Sequence, residues 1–493
     1  MASQIMVFLL MADALIVAIG LFRKRNMWKW IIAYWVLLTI KNFIDFLGVF
    51  FLYCLRLLLS LYPNCGHIIA AMVRRGKGGK RIRNLNILLI MENVKGQSRV
   101  EVVDAIRGIA VAMILMLHSI EHFNLYNQVD PDSPLLKLVD LMVWDGLWFV
   151  IGGKAYAIFA LLFGFSFYIM DRNAARRGED FRLRFCWRML LLFGFGCLNA
   201  SFFCGEVLVL YSIVGLVLPM VCRLKTRTLL VVAAVLMAQP VEWMKLVYAA
   251  IVDGEREILV FDFREYWNAS IKMLAEGGFL ETVKTNLWEG QLFSLAWAWG
   301  AGRFCQTASL FMLGLAAGRM EWFADSEANR RRWGRVLAMA LVAFFPLYGL
   351  SSLLPDFVAS TPAEELADSS LWAMTSKTFM ASLMLIITSL HKFCFMTVIV
   401  TSLLFAFYCT RLSRPMRFIM PYGRMSLTNY IGQSIVGSAI YYHWGLYLNL
   451  SDTQSVALGV VILACQVMFC RWWMSRHTHG PLEGVWKRLT YLW

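Results

Sequence analysis

The stretch Asp104-Ala-Ile-Arg107-Gly108 opens an apolar run that ends at His118, followed by Glu121, His122 and Asn124. Arg107 and His118 are eleven positions apart. At about 100° per residue, eleven steps come to three turns plus roughly 20°, so the two side chains share one helix face. At about 1.5 Å per residue they stand roughly 16 Å apart along the axis, half the thickness of a hydrocarbon layer. A guanidinium suits a phosphate or carboxylate because its planar fork holds two oxygens at once. An imidazole suits proton transfer because it titrates near neutrality. Glu121, one turn beyond His118, is placed to fix the tautomer of the ring. The structural alternative is that Arg107 merely pairs with Asp104 and His118 closes a buried hydrogen bond near the interface. Ionisable groups inside an apolar span are costly, which favours a functional role.

Further candidates lie along the chain. Lys154 follows Gly152 and Gly153 at the end of the next apolar run and, with Asp145, is expected on the same side as His118, where it can meet an acceptor group or snorkel to the interface. Arg184 and Arg188 belong to a basic segment, Arg172 to Arg188, that could hold the phosphates of a soluble donor or simply mark the cytoplasmic side. Tyr266, Trp267, Trp288, Trp297 and Trp299 are either stacking surfaces for a sugar or an interfacial aromatic belt. Ser426, Thr428, Asn429 and Gln433 give one helix start a polar face for packing or for lining a cavity. No Gly-rich phosphate loop, nucleophile elbow or zinc-ligand spacing occurs, so no metal is expected.

The elements that must position these residues are transmembrane helices. The 493 residues are 59% hydrophobic and 16% charged, well below the roughly 25% charged share of soluble domains. Apolar runs long enough to cross a bilayer recur along the chain. The expected fold is an all-α, polytopic transmembrane helical bundle of about ten core spans plus an N-terminal hydrophobic extension. The spans are expected near 104–123, 146–170, 187–203, 206–222, 228–250, 302–319, 336–354, 377–410, 427–448 and 455–472. The segment 377–410 counts as one long or kinked helix, because two crossings there would break the alternation of basic and acidic loops. The net charge of +15 sits in short blocks between apolar runs rather than on one soluble face, so nucleic acid is not an expected partner. Arg172 to Arg184, Arg223 to Arg227, Arg319 to Arg335 and Arg411 to Arg417 alternate with acidic or short loops, which sets the basic loops, and both ends of the core, in the cytoplasm of a cell (inner or plasma) membrane protein. The loops Asp130 to Asp145 and Asp253 to Glu289 are expected on the outer side, the latter as short helices at the membrane surface. The 11 cysteines are scattered without a CxxC pair and read as small apolar residues. Residues 1–90 carry two apolar runs between basic clusters and read as an extension of open topology. Residues 91–493 form the main domain.

The segment RVEVVDAIRGIAVAMILMLHSIEHFN resembles the opening helix of the YeiB-like membrane proteins, domain-of-unknown-function family 418. GGKAYAIFALLFGFSFYI, RMLLLFGFGCLNASFFCGEVLVLYSIVG, GRMSLTNYIGQS and GPLEGVWKRLTY follow in the family's order, the last two being the most specific. That family is related to the acyltransferase family 3 and heparan-α-glucosaminide N-acetyltransferase proteins, whose first conserved helix carries an Arg and a His at this same spacing. The resemblance implies transfer of an acyl group, usually acetyl, from cytoplasmic acyl-CoA to an acceptor such as a glycan beyond the membrane. Arg107, Arg184 and Arg188 would bind the donor, and His118, Glu121 and Glu206 would act in catalysis. Where the family often has His and Asp, this chain has Asn199 and Glu206. Glu206 keeps the carboxylate, while Asn199 cannot shuttle a proton.

Two other classes remain open on the sequence: a transporter or exporter of a small acidic metabolite using the same Arg and His, and a membrane protein without catalysis. A transporter built of two related halves would show an internal repeat, and none is evident at the level of motifs. The partners implied are the lipid bilayer and a small-molecule or glycan acceptor, and an oligomer is compatible with the reading.

Overall fold

The computed structural model describes residues 100–121, 133–251, 261–360 and 377–491, with Phe123, Val129, Pro131 and Leu259 between them. The 1–90 extension, His122, Asn124 and Asp130 lie outside the described residues. All regular elements among the described residues are helical. They are α1 (Glu101–Glu121), α2 (Pro134–Val150), α3 (Ala155–Arg176), α4 (Arg182–Ala200), α5 (Leu208–Gly215), α6 (Val217–Val221), α7 (Thr226–Met237), α8 (Pro240–Ile251), α9 (Arg264–Glu276), α10 (Phe279–Thr285), a π turn (Asn286–Gly290) and α11 (Gln291–Gly300). The second half holds α12 (Arg303–Arg319), α13 (Glu327–Ser360), α14 (Lys377–Cys409), α15 (Ser413–Phe418), α16 (Met420–Arg424), α17 (Ser426–Tyr441), α18 (Asp452–Met474) and α19 (Pro481–Thr490).

Among the described residues six helices are long and apolar enough to cross a membrane, with α2 and α3 taken together as one (Pro134–Arg176), or seven if the bent α7–α8 pair counts as one span. The all-α transmembrane bundle is therefore as expected, while ten full-length spans are not found among the described residues. The expected span at 206–222 is split into α5 and α6, and those at 302–319 and 427–448 appear as α12, with 17 residues, and α17, with 16. The span at 228–250 bends by 46° between α7 and α8. There Gln239, at φ 60°, donates to the Gly302 carbonyl and to Ser389 Oγ, restoring partners at the break. In contrast, α14 runs unbroken for 33 residues, as the loop-charge argument requires.

One expected loop is a helix. Residues 130–145 contribute most of α2, and Leu135, Leu136, Leu138, Leu141 and Met142 lie on its exposed face. The acidic residues that suggested a loop are absorbed locally. Asp140 is buried and accepts from Ser451 Oγ at 3.2 Å and Thr453 N at 2.9 Å, at the N-terminus of α18, a favourable position for a carboxylate. The segment 264–300 does form short helices, α9 to α11 with the π turn, as expected.

At the centre stands α1, buried along most of its length and packed by α3, α14, α16, α17 and α18. Its contact with α16 depends on two glycines. A Cβ on Gly423 would collide with the Asp104 carbonyl, and one on Gly108 would lie 2.8 Å from the Ile419 carbonyl. Two backbones can touch only where side chains are absent, the usual device for close helix packing in membranes. This contact sets the charged ends of α1 and α16 side by side.

Candidate functional site

Arg107 and Asp104 lie one turn apart on α1, and their side chains pair at 3.1 Å. Arg107 also donates to Ser166 Oγ of α3 at 2.8 Å, and Ser166 in turn donates to the Leu162 carbonyl. The second oxygen of Asp104 accepts from Arg424 Nε at 3.1 Å. One carboxylate thus holds two guanidiniums, which leaves net positive charge facing a cavity of about 630 Å³. Arg188, His479 and Lys487 line the same cavity, with Glu483, Trp486 and Tyr430. Arg188 lies 3.5 Å over the Trp486 ring and donates to Thr490 Oγ1 at 3.2 Å, so the amphipathic helix α19 holds it in place.

The two most specific motifs meet at this cavity. Glu483 of α19 accepts from Leu427 N at 2.7 Å, Thr428 N at 3.0 Å and Thr428 Oγ1 at 2.6 Å. The orphan N–H groups at the start of α17 are satisfied by a carboxylate from another helix. Thr428 is thus a clasp and Ser426 lines the cavity, whereas Asn429 and Gln433 serve packing, bonded to the Tyr422 carbonyl and hydroxyl.

His118 is buried, with its ring 4.7 Å from that of Phe203 and 6.1 Å from that of Tyr430, centre to centre. It lines a second cavity, of about 500 Å³, together with Glu121, Glu206, Trp267, Trp297, Arg303, Gln306, Ser389 and Lys392. Glu206 is also buried. Its carboxylate accepts from the Asn199 side chain and from Leu208 N, and Ser294 Oγ donates to its carbonyl at 2.7 Å. Asn199 therefore acts as a neutral donor that orients Glu206.

Arg107 and His118 do not share a single cavity. Their cavities have Ile114, Tyr156, Val207 and Tyr430 in common, and these four residues form a wall between them. Helical periodicity aligned the two residues on one face; besides Ile114 of α1 itself, the wall comes from α3, α17 and the residue preceding α5, which the α1 sequence alone does not contain.

The remaining candidates divide. Glu121 and Glu206 line the His118 cavity, and Arg188 lines the Arg107 cavity. Arg184 does not line it: its guanidinium donates to Glu179 at 2.9 Å and lies over the ring of Tyr491, which does. Lys154 turns back to the end of α2, donating to the Phe149 carbonyl at 2.6 Å and the Trp148 carbonyl at 3.4 Å. A cation at a helix C-terminus is a stabilising cap. Asp145 is exposed on α2 and lines neither cavity. Of the five aromatic residues between 266 and 299, Trp267 and Trp297 line the His118 cavity, while Trp288 is exposed.

Tyr156, Arg303, Gln306, Lys392 and Tyr430 were not singled out from the sequence. Arg303 and Lys392 are cations within otherwise apolar helices, a signal that was legible. Tyr156 and Tyr430 lay inside recognised motifs, but nothing in their spacing marks a wall.

Residues 317–493 match the family described as protein of unknown function (DUF418). The C-terminal part of the chain is thus similar to the DUF418 proteins. Residues 99–250, which hold α1 and both ends of the wall-forming α3, match heparan-alpha-glucosaminide N-acetyltransferase, catalytic. Among curated relatives, the uncharacterized protein YxaH of Bacillus subtilis (strain 168) is 26% identical, over 80% of this chain and 94% of its own. The uncharacterized protein YeiB of Escherichia coli (strain K12) is 25% identical, over 78% of this chain and 95% of its own.

Proposed function

We propose that this protein is a membrane-bound acyltransferase, which takes an acyl group, acetyl in the simplest case, from acyl-CoA in the Arg107 cavity and passes it to an acceptor in the His118 cavity. The observation that carries the reading is the pair of cavities meeting at one wall, the first rich in cations and the second holding a buried imidazole with two carboxylates. The similarity of residues 99–250 to an acetyltransferase catalytic region supports it. With the basic loops in the cytoplasm, the Arg107 cavity opens to soluble donor and the His118 cavity to the opposite side.

In this reading Arg107, Arg188, Arg424 and Lys487 hold the phosphates of CoA. The thioester reaches the wall beside Tyr430 and Tyr156. His118 takes the proton from an acceptor hydroxyl or amine as that atom attacks the thioester carbonyl. The carbon–sulfur bond breaks, and the thiolate leaves with a proton as free CoA. Alternatively the imidazole carries the acyl group transiently and then gives it to the acceptor. Both routes convert acyl-CoA and acceptor into acylated acceptor and CoA.

The test is incubation of purified protein with radiolabelled acetyl-CoA and added glycans. Label on the glycan or on His118, abolished by His118→Ala in a protein that still folds, is the expected result. A transporter would also have two cavities across a thin wall, and the break at Gln239 is the kind of discontinuity found in such proteins. Movement of an organic anion across proteoliposomes, with no label transfer and no dependence on acyl-CoA, would replace the enzyme reading with that one.

A further inference from the structure

The His118 cavity contains two cations that the transfer chemistry does not use. Arg303 is the first residue of α12, directly after Gly302, whose φ of 65° turns the chain into the helix. Its guanidinium lies 4.1 Å over the Tyr156 ring and 5.5 Å from the Trp297 ring, and it donates to Gln306 Oε1 at 3.0 Å. Its buried Nε has no hydrogen-bond partner among the described residues. Lys392 comes from the middle of α14.

Gly153 brings the two together. At φ 74° it turns the chain between α2 and α3, and a Cβ there would lie 2.9 Å from Lys392 Cδ and 3.4 Å from Arg303 Nη2. The two cationic side chains pack against the same small spot, and among the described residues neither makes an ion pair. The negative groups of the cavity are engaged elsewhere or stand off. Both oxygens of Glu206 are taken by Asn199 and Leu208, and Glu121 acts on Lys392 only through space. Lys154, nearby, is occupied by the carbonyls of α2. Adjacent like charges away from bulk water repel strongly, and a bound anion relieves that cost.

We infer that the His118 cavity binds a molecule carrying an anionic group, a carboxylate or a phosphate, held between Arg303 and Lys392 with its apolar or ring-shaped body against Trp267 and Trp297. This deepens the acyl-transfer reading by naming the acceptor class, and on that reading the acceptor is an acidic sugar or similar small organic anion. The cavity volume, about 500 Å³, suits such a molecule. The donor phosphates belong to the other cavity, so the two anion sites are separable by mutation.

The test measures binding by thermal unfolding of the full chain in lipid nanodiscs titrated with glucuronate, glucose 6-phosphate and glucose. Glucuronate, glucose 6-phosphate or both should stabilise the protein where glucose does not, and the stronger of the two identifies the anionic group. Arg303→Gln and Lys392→Gln should each weaken that binding at least tenfold. Arg303→Lys and Lys392→Arg should retain most of it, which covers the case in which a neutral variant fails to fold. Arg424→Gln, in the other cavity, should leave it as it was. Equal affinity for glucose, or a loss with Arg424→Gln that Lys392→Gln does not share, overturns the inference. Label transfer from acetyl-CoA is scored separately, so anion binding without transfer would defeat only the enzyme reading, and transfer to neutral acceptors alone would defeat only this one.

Discussion

The two ends of α1 solve the problem of buried polarity in different ways. Around Arg107 the solution is charge against charge, with Asp104 between Arg107 and Arg424 and Glu483 on the N–H groups of α17. Around His118 it is amide and hydroxyl against charge, with Asn199 on Glu206, Gln306 on Arg303, and Ser389 shared by Gln239 and Gln306. The ion pairs balance only part of the charge there, since the single Asp104 serves two guanidiniums. Amides satisfy hydrogen bonds while leaving the charges of Arg303 and Lys392 in force. The comparison teaches that an excess of free charge, not the number of charged residues, is what a cavity offers to a ligand.

The sharpest way to break the contrast is at the imidazole. His118→Ala is expected to lower kcat/KM for acyl transfer by about 10²–10⁴-fold, the usual share of a general base, with the donor KM little changed. Steady-state kinetics with labelled acetyl-CoA read this, and a rise in donor KM alone would move His118 out of the chemical step. Arg107→Ala should act on the other side. Loss of a charged contact to phosphate, worth roughly 1.5–3 kcal/mol, corresponds to a donor affinity weakened about 10- to 100-fold, and an unaltered donor affinity would leave Arg107 a purely structural ion-pair partner.

The clasp between α19 and α17 gives a smaller effect. Glu483→Gln keeps the shape but weakens three bonds, so a stability loss of about 1–2 kcal/mol is expected, with faster amide exchange at Leu427 and Thr428. Unchanged exchange there would mean that the clasp is not what orders the start of α17. The smallest effect belongs to the α3–α4 loop. Bonds from the Arg182 side chain hold the Asp180 carboxyl down at about 2. A depressed value stabilises the fold above the ordinary carboxylate range and is lost only as pH falls towards 2. The pair is solvent-exposed, so Asp180→Asn should leave the unfolding temperature unchanged at pH 7. A measurable drop would reveal a loop more rigid than its exposure implies.

How far these features could be read from the sequence follows from their range. The helical arithmetic of Arg107 and His118 depends on one element and was legible, as was the single helix at 377–409, fixed by loop charge. The bond of Glu483 to Thr428 spans two motifs that were recognised as specific without any reason for their specificity, since a contact across 55 positions has no periodicity. The helical state of residues 134–145 was missed because Asp140 and Asp145 suggested solvent, whereas Asp140 caps another helix. The wall of Tyr156 and Tyr430 is invisible for a plainer reason: neither residue is ionisable in a way that marks it, and only tertiary packing places both against the same two cavities.

The short pair Asp104–Arg107 also bears on how the protein is made. The first core helix must enter the bilayer long before Arg424, its partner 320 positions downstream, has been synthesised. A lone guanidinium would resist insertion, the more so the deeper it sits in the bilayer. With Asp104 one turn away, the charge leaves the ribosome already accompanied by its counter-ion. The nascent helix can therefore wait, electrically balanced, until the later helices arrive to finish the site.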